Sequence, residues 1–183
     1  MYQEIHRWFT LRKFQWKLKR DGNEIVTFNR ALRDANNVLV CMPWNFTEFH
    51  VARYVQKFLS TEPDGPQVTY IVPHQFGGDI HKRPQDLVIR ANGSSRDRRG
   101  VFGAEFEAQV LSKSFQVAAD LSRTFDLGTS LLCWKTGAPL RIGIESPYSH
   151  LFFNMEVERP SNTFPLEKAY RNIQKMLDIE SLS

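Results

Sequence analysis

From residue 36 onward the chain alternates short, nearly unbroken apolar runs with stretches whose apolar residues recur at helical spacing, and no other feature constrains the fold as much. Residues 38–42 (VLVCM) form a continuous apolar run, as expected of a strand covered on both faces. The stretch 46–59 follows with Phe49, Ala52, Val55 and Leu59 on one helical face. Turn chemistry at 63–66 (PDGP) introduces a second strand at 67–72. A third strand is expected at 86–91, a helix at 103–114, a fourth strand at 115–121 and a helix at 127–135 closed by Gly137. A fifth strand follows at 140–144 and a sixth at 151–157. Thr163 can cap a last helix, with Pro165 in its first turn and Leu166, Ala169, Ile173 and Leu177 as its apolar face. Strands and helices joined by short links predict an α/β fold: a three-layer, Rossmann-like, mostly parallel sheet with right-handed crossovers.

Length and composition fit that fold. At 183 residues and 42% hydrophobic content, one domain can bury roughly 70% of its unfolded surface without disulfide staples. No run approaches the ~18 apolar residues of a membrane-spanning helix, and the first twenty residues carry too many charges for a secretory signal. Cys41 and Cys133 lie inside apolar runs without CxxC spacing, and read as small buried hydrophobes in a reducing compartment. A cytoplasmic protein is expected, or one held peripherally at the inner face of the membrane.

Residues 1–35 stand apart as a basic, aromatic extension to a domain spanning 36–183. The segment 1–20 carries Arg7, Arg12, Lys13, Lys17, Lys19 and Arg20 against Glu4, and 25–35 reads as a short helix. Periodicity in 1–20 is mixed, with helix favoured over strand. Trp8, Phe9 and Trp16 interleaved with Arg12, Lys13 and Lys17 suit an interfacial helix on an anionic membrane; the alternative is a helix packed on the domain or on a partner protein.

In an open α/β sheet the ligand crevice lies beyond the carboxyl ends of the strands, which directs attention to the loops that follow them. Neither GxGxxG nor GxxxxGK[ST] occurs, so no nucleotide loop is supported and no cofactor is expected. After the first strand, Glu48 stands where a general base would sit; the alternative is a capping role, since Asn45 as N-cap with Glu48 three residues on forms an Asn variant of the capping box. The stretch 77–100 carries Lys82, Arg83, Arg90, Arg96, Arg98 and Arg99 against Asp79, Asp86 and Asp97. Guanidinium forks suit phosphate or carboxylate groups, and a solvated loop is the competing reading. His74 and His81 lack metal-ligand partners at useful spacing, so no metal is expected. The aromatics fall in expected core elements rather than among the cations, which argues against nucleic acid.

Three stretches resemble the ADP-heptose:lipopolysaccharide heptosyltransferases of bacteria. Residues 38–59 (VLVCMPWNFTEFHVARYVQKFL) are similar, without gaps, to the family's first strand, Ser-Ser-Leu-Gly-Asp loop and helix. Residues 117–144 are similar to its strand ending Asp-Leu, small-residue helix and Gly-Ala-x-x-Arg-Ile-Gly strand, through Asp120-Leu121, Gly137-Ala138 and Arg141-Ile142-Gly143. Residues 157–179 resemble the link into the helix that ends its N-terminal domain, so the likeness covers about 36–180. It implies the acceptor-holding half of a GT-B glycosyltransferase. The family's proposed base falls on Glu48, its loop glycine on Thr47 and its paired serines on Trp44 and Asn45.

The resemblance also implies a second domain for the nucleotide sugar, and this sequence stops where the first domain ends. Two functions are therefore expected. One is a non-catalytic binding or assembly subunit of a larger complex, contacting a membrane or a protein through residues 1–20. The other is the acceptor-binding half of a split glycosyltransferase, with Glu48 as base and Asn45, Thr47, Arg96, Arg98, Arg99 and Asp120 about an anionic saccharide. A small phosphate- or nucleotide-binding protein unrelated to sugar transfer is a third possibility, because the fold hosts many functions.

Overall fold

The computed structural model describes residues 35–56, 65–76, 80, 82–159, 161 and 165–177. The expected helix at 25–35, the residues offered for membrane or partner contact (Trp8, Phe9, Arg12, Lys13, Trp16 and Lys17) and the cap at Thr163 lie outside the described residues, as does His81.

Six strands form one parallel sheet: β1 (Asn37–Cys41), β2 (Gln67–Pro73), β3 (Leu87–Ala91), β4 (Val117–Asp120), β5 (Leu140–Ile144) and β6 (Met155–Val157), in the spatial order β3-β2-β1-β4-β5-β6. Helices α1 (Phe46–Gln56), α2 (Ala104–Leu111), α3 (Leu127–Lys135) and α4 (Leu166–Leu177) cover it. This is the expected three-layer Rossmann-like fold.

Successive side chains of a strand point to opposite faces, and β1 shows what that does to an all-apolar run. Val38 and Val40 enter one core with Phe49 and Ala52 of α1 and Ala169 and Ile173 of α4. Leu39 and Cys41 enter the other with Phe106 and Val110 of α2 and Leu131 and Leu132 of α3. All four of these β1 side chains are buried, as a strand covered on both sides requires. Burying each stabilises the fold by about 1.5–3 kcal/mol, set against the entropy of ordering the chain.

Several boundaries differ from those expected. β3 starts at Leu87 because Asp86 turns its carboxylate onto Arg83 and the Val68 amide. β4 is shorter than 115–121: Gln116 uses its side chain to accept the Asn36 and Asn37 amides, and Leu121 already turns away. α2 ends at Leu111, with Ser112 as its C-cap. β6 starts at Met155, since residues 149–151 form a 3-10 turn in which Ser149 bonds back to Ser146 through both its hydroxyl and its amide. Pro165 stands just before α4 and not in its first turn, its carbonyl accepting the Lys168 and Ala169 amides.

The cysteines are free and fully buried, as expected of small hydrophobes. Their sulfurs also touch, at 3.8 Å, and this contact with burial pushes the Cys41 thiol up. Among the described residues, no helix is long and apolar enough to cross a membrane.

Candidate functional site

The strand order reverses direction between β1 and β4. From β1 the chain passes to α1 on one face of the sheet, and from β4 to α3 on the other. The loops after these neighbouring strands therefore separate, and a crevice opens between them; this is the position at which doubly wound folds bind ligands.

On the β1 side, Asn45 caps α1: its Oδ1 accepts the Glu48 amide at 3.1 Å and its carbonyl the Phe49 amide at 2.8 Å. Half of the expected capping box is thus present. The Glu48 carboxylate, however, crosses the crevice, where Oε2 accepts the amide of Arg123 at 3.1 Å. Glu48 is buried, 9% exposed. Burial pushes its carboxyl above the usual range, partly offset by the Arg123 amide and charge. Thr47 lies exposed on the first turn of α1.

On the β4 side, Asp120 ends the strand almost completely buried. Its carboxylate accepts the Thr129 hydroxyl at 2.6 Å, the Ser130 hydroxyl at 3.4 Å and the Ser122 amide at 2.9 Å. Burial pushes this carboxyl up to about 6, with Asp126 adding to the rise and the Thr129 bond opposing it. Asp126 caps α3 through the Thr129 amide. From the layer beyond, Tyr170 of α4 donates to the Leu121 carbonyl at 2.8 Å, so α1 and α4 together hold the loop after β4. The hollow bounded by Asp120, Ser122, Asp126, Ser130 and Ser146 measures about 180 Å³ including its mouth, below the roughly 300–1,000 Å³ of small-molecule pockets.

The basic stretch does not form one cluster. Arg83 lies before β3, at the opposite end of the sheet, in a buried pair with Asp86. Lys82 and Arg90 line a separate depression against β3, of about 690 Å³ including its mouth. Arg99 is exposed and pairs with its neighbour Asp97 at 2.6 Å. Arg98 is exposed in the same turn. Only Arg96 turns into the crevice, where Nη1 meets Asp126 Oδ2 at 2.8 Å. Its guanidinium carbon lies 3.7 Å from the Trp44 ring centroid and 4.4 Å from that of Phe102. Gly128 in the first turn of α3 permits this, because a side chain there would meet the Gly100 carbonyl and the Arg96 guanidinium.

Asn45 and Glu48 therefore lie on the β1 side of the crevice and Asp120 on the β4 side, Arg96 reaches the hollow through Asp126, and Thr47, Arg98 and Arg99 are exposed. Sequence reasoning missed Asp126, Thr129, Ser122, Ser146 and Tyr170. The Asp126-x-x-Thr129 spacing at a helix start was a signal for the first two. Among the described residues, no group of three His, Cys, Asp or Glu side chains could hold a metal ion.

No family model and no curated protein matches the chain. Solved structures do. A glycosyl transferase family 9 structure from Veillonella parvula has a TM-score of 0.58 at 15% identity, over 81% of this chain and 42% of that one. The E. coli heptosyltransferase WaaC with ADP gives 0.53 at 14% identity, over 77% and 46%; with ADP-2-deoxy-2-fluoro heptose it gives 0.56 at 14%, over 78% and 48%. This chain spans less than half the length of each, and over that span it shares the fold of heptosyltransferase-like GT-B glycosyltransferases.

Proposed function

We propose that the chain is a glycosyltransferase-like binding module, a non-catalytic subunit that recognises or assembles with a partner rather than transferring sugar alone. The observation carrying this reading is that the two acids of the crevice are held by the chain's own groups. Glu48 is engaged by the Arg123 amide and Asp120 by two hydroxyls and an amide, and the hollow beside Asp120 is only about 180 Å³. A protein partner is the favoured ligand, with an anionic membrane as a second contact through residues 1–20. Native mass determination of the tagged protein purified from its own cells tests the proposal: a stable assembly without sugar-transfer activity is expected. Free monomer with no vesicle binding, or transfer by the isolated chain, overturns it.

A second reading, the acceptor-binding half of a split glycosyltransferase acting on an anionic saccharide, is favoured by Glu48 itself. Its carboxyl is raised by burial, as suits a base, and among the described residues only Oε2 accepts a hydrogen bond. Under this reading, Glu48→Gln in the complex of this chain with a nucleotide-sugar-binding partner abolishes transfer. Unchanged transfer removes Glu48 as the base.

A further inference from the structure

A guanidinium presents two edges, and the side-on edge formed by Nε and Nη2 is a parallel fork that matches the two oxygens of a carboxylate or phosphate. Arg83 shows this fork filled: Nε reaches Asp86 Oδ2 at 3.2 Å and Nη2 reaches Oδ1 at 2.9 Å. Arg96 is different. Its contact with Asp126 uses Nη1 alone, and both Nε and Nη2 are buried with no acceptor among the described residues. The side chain is only 10% exposed. The indole Nε1 of Trp44, on the ring against which this guanidinium stacks, is likewise buried and without an acceptor.

Buried N–H groups almost always find a partner, and three on two touching side chains, one of them paired with an aspartate that lines the hollow, call for an acceptor that the described residues do not supply. Phe102 closes one side of the guanidinium. Trp44, of the loop after β1, packs on an adjacent side and is only half-buried.

We infer that the Nε/Nη2 fork of Arg96, with the indole N–H of Trp44, is a site for a single oxyanion group, a carboxylate or phosphate carried by whatever docks in the crevice. Asp126 orients the fork from behind through Nη1. Arg98 and Arg99, on the exposed turn, supply general positive charge and no fork. The inference rests on the reading of this crevice as a binding surface and can fail separately from it.

The test follows the Trp44 indole N–H resonance by NMR in the full chain, assigned among the four tryptophans by its loss in Trp44→Phe. Inorganic phosphate and acetate are titrated in separate arms at constant ionic strength, followed by a sugar phosphate and a sugar acid. A saturable shift of this resonance is expected in at least one arm. Arg96→Lys, which keeps the charge and removes the fork, weakens binding at least tenfold, while Arg98→Ala changes it less than twofold. The relative affinities of the phosphate and carboxylate arms identify the source of the group. If Arg96→Lys unfolds in a thermal melt, the comparison passes to Trp44→Phe, followed by calorimetry and expected to weaken binding severalfold.

Absence of any saturable shift overturns the inference. So does an equal response in Arg96→Lys, or binding that depends on Arg98 instead. The last outcome would leave the crevice a binding surface and sink only the assignment to Arg96.

Discussion

Arg83 and Arg96 leave the same basic stretch of sequence and both pair with aspartates, the first pair buried and the second half-buried, and the two pairs are built differently. At the amino end of β3, the Arg83 side chain is 8% and that of Asp86 0% exposed, and almost every valence is used. Asp86 accepts from Arg83 Nε and Nη2 and from the Arg83 and Val68 amides, while Nη2 also reaches the Pro66 carbonyl. At the carboxyl end, Arg96 gives one nitrogen to Asp126 and leaves its fork without an acceptor. Contact with Trp44 and Phe102 offsets part of that cost, at roughly 0.5–2 kcal/mol for a cation over a ring. The closed pair fastens the start of β3 to β2; the open pair leaves hydrogen-bonding capacity unused beside the crevice.

The largest effect that would sharpen this contrast is expected from Asp86→Ala. It strands a buried guanidinium and should cost about 3–5 kcal/mol in denaturant melts. A loss below about 1 kcal/mol would show that the amino-end pair is not structural.

Next is the pH response of the crevice end. Asp120 titrates at about 6 in the folded chain against an ordinary value of 3.8, so between those values the folded state binds the proton more tightly than the unfolded state. Its contribution is present below about 4 and lost as pH rises through 6. The wild type should therefore lose about 2.4 kcal/mol relative to Asp120→Asn between pH 4 and pH 7. Parallel pH profiles for the two proteins would contradict the burial assigned to this carboxyl.

Asp126→Ala removes the cap of α3 and the single contact of Arg96, and about 1–2 kcal/mol is expected. A loss matching that of Asp86→Ala would erase the distinction between the pairs. Arg99→Ala breaks an ion pair whose side chains are 52% and 38% exposed, and should change stability by less than about 1 kcal/mol.

Much of this architecture is legible locally. The apolar run of β1 and the helical spacing of α1 identify a buried strand and its covering helix, and the repetition of that pattern leads to the parallel three-layer sheet. Asn45 is recognisable as a cap because the N-cap bond spans three residues. Glu48 was visible as a carboxylate after the first strand, but its acceptance of the Arg123 amide, 75 residues away, was not. The arginines of 82–99 look like one cluster on paper. The five residues of β3 carry the chain across the sheet, about 3.3 Å per residue, so Arg83 and Arg96 emerge at opposite ends.

The sequence by itself determined the layers, the strand and helix types and the identity of the loops that flank the crevice, because periodicity and capping are interactions between near neighbours. Only the tertiary structure decided which carboxylate meets which guanidinium, which acids are raised by burial and which fork is left open. Those outcomes depend on desolvation and on contacts between segments 30 and 75 residues apart, distances over which the folded sheet, and not the local chain, sets who is neighbour to whom.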